Sequence, residues 1–367
     1  MSERNLHAKA FDEGTQEKLT IYREYLQEWL PVFLHTKTRP SRIQIFDFFA
    51  GPGFDLTGCA ASPVIALEEI HNALNNARSH GIVPVAVDLY LNEFSKKKYG
   101  ELVKNIQSHP YFGDVNVTFA QKDFPVAFDA WYLLMNRPDV ANFLFLDQNG
   151  VKQVSTEIFS RLISLRHTDY MFYIASSIVN RFKEDPRIIN PLPISEADLQ
   201  NMNGTNVHAI VKDAYERIAQ GKYLAPFSIR KGANVYGLIF GTEHLLGLDK
   251  FLTVCWKLDK VHGLANFDVE NENIDPSAPS LFAEMDRPKK LDLFERDLLR
   301  KLRAHEIKTN YEIYEFALRS GFLSVHARDA LRSMMDKGDI PKQKIPVSRE
   351  CMKMLPVHVN LLSKERR

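Results

Sequence analysis

Residues 43–53 constrain the chain more than any other stretch: Ile43-Gln44-Ile45-Phe46-Asp47-Phe48-Phe49 runs straight into Ala50-Gly51-Pro52-Gly53. A β-branched and aromatic run closed by a glycine turn predicts a buried strand entering a tight bend. Such a bend, opening into a helix, turns backbone amides toward one point, and glycine lets a polar or anionic ligand approach closely. The pattern then repeats. Helical periodicity covers 63–77, 95–106, 126–135 and 156–165, and apolar strands are predicted over 82–91, 115–120, 142–146, 170–175 and 235–240. Strands apolar on both faces and separated by helices predict an α/β fold, a Rossmann-like, mostly parallel sheet with helices on both faces.

Polar residues punctuate four successive strand ends. Asp47, Phe49, Ala50, Gly51 and Gly53 form the first turn. Glu93 follows the second strand, where a carboxylate can accept both hydroxyls of a ribose. Asp123-Phe124 follows the third and can hydrogen-bond an adenine amino group and stack on the ring. Asp147-Gln148-Asn149-Gly150 follows the fourth, where a transfer reaction would be run, and these three polar residues are the candidate catalytic set. Ser176, Asn180 and Arg181 are candidate substrate-cleft residues.

These residues resemble the three-Cys-motif partner proteins, which are methyltransferase-like and associated with prokaryotic mobile or defence loci. The resemblance covers most of the chain. It rests on the helix Lys18 to Trp29 with Leu30-Pro31, on Phe46 to Gly53, on Ser62-Pro63-Val64-Ile65-Ala66-Leu67, on Phe145-Leu146-Asp147, on Asn180-Arg181-Phe182 and on Phe240 to His244. It implies a methyltransferase-type fold and S-adenosylmethionine bound at the Gly51–Gly53 turn, with Glu93 on the ribose and Asp123 near the adenine; Ser62 is a further candidate substrate-binding residue. One departure stands out. Where the family often reads Asp-Pro-Phe-Gly, this chain has Asp147-Gln148-Asn149-Gly150. The proline and the aromatic that grip a flipped base in amino-methyltransferases are missing, which weakens the case for adenine or cytosine N-methylation.

The net charge of +1 hides an asymmetry. Residues 285–367 hold 19 Lys and Arg against 12 Asp and Glu, leaving 28 against 34 in residues 1–284. The basic end carries three short helical patterns, 291–305, 310–320 and 325–337, followed by a hairpin-like tail, as in a winged helix-turn-helix. Arg328 and Arg332, four apart on the third helix, are the candidate nucleic-acid contacts. The expected division is a methyltransferase-like Rossmann domain at 1–268, with a helical, lid-like insertion near 183–232. An acidic, Pro-rich linker at 269–288 and a small C-terminal winged-helix-like domain at 289–367 complete it.

Three widely spaced cysteines, Cys59, Cys255 and Cys351, argue against a disulfide framework or a cysteine zinc site and fit a reducing cytoplasm. The histidines fall in no metal-binding spacing with acids, so no metal is expected. No apolar run approaches the ~18 residues that span a bilayer, and no membrane association is expected. The leading expectation is an S-adenosylmethionine-dependent methyltransferase acting on or near nucleic acid. The alternative is a catalytically silent scaffold that holds the cofactor and docks a partner protein.

Overall fold

The computed structural model describes residues 10–35, 40–148, 150–204, 206–232, 234–270, 272–274 and 287–361. The chain divides into two compact units, Met1–Gly247 and Leu248–Arg367. The elements run α1 (Glu13–Leu34), β1 (Arg42–Asp47), α2 (Ser62–Ser79), β2 (Ala86–Asn92), α3 (Lys96–Gln107), β3 (Asn116–Ala120), α4 (Phe124–Met135), β4 (Val140–Leu146), α5 (Thr156–Ser164) and β5 (Thr168–Ile174). Then come α6 (Ser176–Arg181), α7 (Pro186–Ile189), α8 (Glu196–Asn201), α9 (Val207–Ile218), β6 (Tyr223–Lys231), β7 (Asn234–Thr242) and α10 (Leu245–Leu258). One seven-stranded sheet has the order β3-β2-β1-β4-β5-β7-β6. Strands β1 to β5 run parallel, and β7 is antiparallel to both β5 and β6. This is the expected α/β, Rossmann-like architecture.

Side chains alternate across β4, which explains its apolar character on both faces. Phe143 and Phe145 meet α1, where Tyr22 lies 4.3 Å from Phe145 and Trp29 5.6 Å from Phe143, centroid to centroid. Leu144 and Leu146 join the opposite cluster with Phe128 and Trp131 of α4, Phe159 of α5 and Tyr215 of α9. Each fully buried side chain of this size contributes about 1.5–3 kcal/mol.

Helix α1 runs through Pro31 to Leu34. Two local expectations change. Strand β2 begins at Ala86, because Pro84 cannot donate to the ladder of a strand paired on both sides. The stretch 183–232 is not wholly helical: after α7, α8 and α9 it ends in β6, which hairpins onto β7 with Pro226 opposite Ile239. Proline is tolerated there because β6 is an outermost strand.

In the second unit, α11 (Lys289–Arg303), α12 (Asn310–Arg319) and α13 (Ser324–Asp336) follow the three expected helical patterns. Thr309 and Glu312 form a capping box at the start of α12. The tail returns beside that start through an antiparallel bridge between Thr309 and His358, and Val359 N–H donates to Lys308 O at 2.8 Å. Residues 271 and 275–286 of the expected linker lie outside the described residues. Among the described residues no helix is long and apolar enough to cross a membrane.

Candidate functional site

The strand order reverses at β1: the chain leaves it for β2 and β3 on one side, then crosses back to β4 on the other. Open α/β sheets take ligands in the crevice at the carboxyl ends of the strands beside such a reversal. Asp47 closes β1 in register with Leu91 and Phe145. Glu93 lies just past β2, Asp123 caps α4, and Asp147 directly follows β4.

The glycine turn is fixed from several sides. Gly51 and Gly53 have φ of +65° and +97°, a region in which side chains with a Cβ are strained. A Cβ on Gly53 would sit at ordinary contact distance, 3.5 Å from Val64 and 3.6 Å from Asn105, so conformation rather than crowding calls for glycine. Asn105 Nδ2 donates to Pro52 O at 2.8 Å, and Ala50 N–H donates to Asn92 O at 3.0 Å. Buried Asn92 ties three strand ends together: its Nδ2 donates to Phe48 O at 3.1 Å and Lys122 O at 3.0 Å, and its Oδ1 accepts from Lys122 N–H at 3.1 Å.

Glu93 bridges the turn and the second strand end. Its Oε2 accepts from Gly51 N–H at 3.0 Å and its Oε1 from Ser95 N–H at 2.8 Å. A carboxylate offers about four lone-pair sites, so two stay open for a diol. Glu93→Ala is expected to weaken nucleotide binding by about 1–3 kcal/mol, read as a reduced ligand-induced rise in melting temperature. An unchanged rise would remove Glu93 from the site.

Asp47 is fully buried. Its Oδ1 accepts from Phe49 N–H at 3.1 Å, while its Oδ2 has no hydrogen bond of good geometry. Burial pushes its pKa up to about 7, assisted by the charges of Asp147 and Glu93, against the opposing pull of the Ser62 hydroxyl and the Phe49 amide. An orphaned carboxylate oxygen beside a glycine turn is an acceptor waiting for a donor.

The remaining candidates are distributed unevenly. Asp123 is exposed and accepts from Phe124 N–H at 2.8 Å. The Phe124 ring is buried against Phe48, Phe49 and Phe128, so it is core rather than an open stacking platform. Phe94, next to Glu93, is 64% exposed and offers the free aromatic face. Asp147 pairs with Lys18 of α1, whose ammonium also lies 5.1 Å from the Tyr173 ring centre. Gln148 turns inward: Nε2 donates to Tyr173 O at 2.7 Å, and Oε1 accepts from Gln153 N–H at 2.8 Å. Asn149 lies outside the described residues.

Ser62, the first residue of α2, is buried beside Asp47. Ser176 is fully buried, 3.3 Å from His208 Nδ1, and burial pushes that imidazole down to about 4, so the pair is neutral packing rather than cleft lining. Asn180 is half-buried in α6, and exposed Arg181 reaches Asn234 Oδ1 at 3.5 Å. Asn92, Phe94 and the Lys18 contact escaped the sequence reading. Only Phe94 carried a local signal, an aromatic directly after Glu93.

Residues 268–342 match the GMT-like wHTH domain family. Within that domain Arg328 donates to Val347 O at 2.8 Å and Ser324 Oγ at 3.2 Å, which holds the tail. Arg332, 72% exposed, pairs with Asp329 at 3.0 Å. No curated protein sequence matches the chain. Among solved structures it is similar to the METTL16 methyltransferase domain, with 11% identity, a TM-score of 0.31, and coverage of 59% of this chain and 66% of that one. It is also similar to a SAM-dependent methyltransferase from Agrobacterium tumefaciens, with 11% identity, a TM-score of 0.33, and coverage of 61% and 62%. The N-terminal domain of human METTL16 in complex with SAH gives 11%, 0.29, 61% and 70%. The chain thus spans just under two thirds of the first two proteins. Likenesses this remote leave the site to be argued from its own residues.

Proposed function

We propose that the protein is an S-adenosylmethionine-dependent methyltransferase that acts on or near nucleic acid through its winged-helix domain. The observation that carries this reading is the set of carboxylates around one glycine turn at the strand reversal, with Asp47 Oδ2 buried and without a hydrogen bond of good geometry. Glu93 would accept the ribose hydroxyls, Asp123 the adenine amino group, and Asp47 a donor of the amino-acid part, while Phe94 covers the base. The bound cofactor supplies a methyl group on a sulfonium centre. Asp147 would orient the acceptor by accepting its hydrogen bond. A prokaryotic cytoplasmic setting, at a mobile or defence locus, follows from the resemblance to three-Cys-motif partner proteins.

Mass spectrometry of small molecules released from freshly purified protein tests the first half, and S-adenosylhomocysteine formation with nucleic-acid pools tests the second. Absence of both cofactor and product would overturn the proposal. A second reading, a silent scaffold for a partner protein, is favoured by the Lys18 ammonium on Asp147 and by the inward turn of Gln148. It expects retained cofactor without turnover.

Arg332 is the better test of nucleic-acid contact, because Arg328 also holds the fold. Arg332→Glu is expected to weaken duplex binding and to flatten the log-log salt dependence by about one unit, since each phosphate contact contributes a slope near −0.9. Titrations across a salt series would show it, and an unchanged slope would remove Arg332 from the contact surface.

A further inference from the structure

His167, Glu243 and His244 meet at the end of the sheet opposite the glycine turn, roughly 20 Å away along the strands. His167 precedes β5, and Glu243 and His244 follow β7. Because those strands are antiparallel neighbours, residues distant in sequence come together. Glu243 Oε1 lies 3.3 Å from His167 Nδ1 and 3.3 Å from His244 Nε2, and one ligand atom from each residue lies within 4.8 Å of the others. The two imidazole planes are 5° apart. Lys222 holds the other carboxylate oxygen at 2.9 Å, and the His167 backbone N–H also donates to Oε1.

We propose that His167, Glu243 and His244 bind a divalent transition-metal cation of the zinc type, with its remaining position open to solvent. Two imidazole nitrogens and one carboxylate oxygen are the donor set that zinc accepts. At bond lengths of about 2.0–2.2 Å, tetrahedral donors stand about 3.3 Å apart, which is the spacing of both histidine nitrogens from Glu243 Oε1. A histidinium–carboxylate hydrogen bond would draw closer, to about 2.7–2.9 Å. Lys222 acts as the outer partner that orients a ligating carboxylate. The backbone at His167 has a φ of +48°, a strained position that persists only where its surroundings fix it. The site would clamp the α5–β5 turn onto the end of β7, independently of any cofactor. Sequence spacing could not reveal it, since no short histidine motif is involved.

The competing charges are all local. Glu243 is held well below the ordinary range by the His244 and Lys222 contacts, and His244 is raised by Glu243 and Asp169 against the effect of Lys222.

The test is titration of chelator-stripped, full-length protein with zinc, and with cobalt for its visible absorption. One equivalent per chain is expected, with at least tenfold weaker binding in His244→Ala, whose side chain is 63% exposed and replaceable without loss of the fold. His167→Ala, checked for an unchanged circular dichroism spectrum, should do the same. Binding of less than one equivalent, equal affinity in both variants, or a pH-dependent melting temperature indifferent to metal would overturn the site and leave a hydrogen-bonded clasp.

Discussion

Asp147→Ala is expected to lower methyl transfer by roughly 10²- to 10⁴-fold while leaving cofactor binding intact, the range over which a positioned acid–base or orienting group acts. The residue follows β4 beside Asp47, and Lys18 of α1 pairs with it. In the proposed reading, removing the carboxylate takes away the group that orients the acceptor and leaves the glycine turn and Glu93 in place. S-adenosylhomocysteine release against a nucleic-acid pool, measured beside the cofactor-induced melting shift, separates the two effects. A variant that turns over like the wild type would move the acceptor site elsewhere. A wild type that binds cofactor and never turns over would favour the scaffold.

Asp47→Asn should remove the pH dependence that this carboxyl confers. The native carboxyl titrates near 7, against about 3.9 in the unfolded chain, so between those values the folded state holds the extra proton. Its contribution to stability is therefore full below about pH 4, is lost progressively up to about pH 7, and is flat above. Buried His208, pushed down to about 4, acts in the opposite direction over part of that range, so the difference between variant and wild type is the quantity that isolates Asp47. Asp47→Asn should match the wild type near pH 4 and exceed it at pH 8 by about 1–4 kcal/mol, while binding cofactor at least tenfold more weakly. Denaturant melts of both proteins at pH 4.5 and 8 would show it. Parallel profiles would mean that Asp47 ionises like an ordinary carboxylate.

The first five strands were legible because each is a short apolar run between helices, and the glycine turn together with Glu93 was legible because both are local. Strand β6 was hidden by Pro226 inside a polar stretch, a residue that argues against a strand unless the strand lies at the edge. Phe124 read as a ligand platform because sequence order cannot say which aromatic of Phe48, Phe49, Phe94 and Phe124 remains uncovered. Asn92, Lys18 and the His208–Ser176 pair act through contacts between distant segments, which no periodicity encodes. The elevated pKa of Asp47 likewise depends on burial and on two carboxylates from other strands.

The same Pro226 bears on self-association. An outermost strand with free N–H and C=O groups is a template for another chain's strand, and proline interrupts that row of donors. The far end of β6 is also covered: Lys231 donates to Thr15 Oγ1 at 2.9 Å and pairs with Asp12, and a Cβ on Gly14 would come within 3.0 Å of Arg230 O. Growth of the sheet by strand addition is thus hindered along this margin, at Pro226 by the missing donor and at the far end by the start of α1.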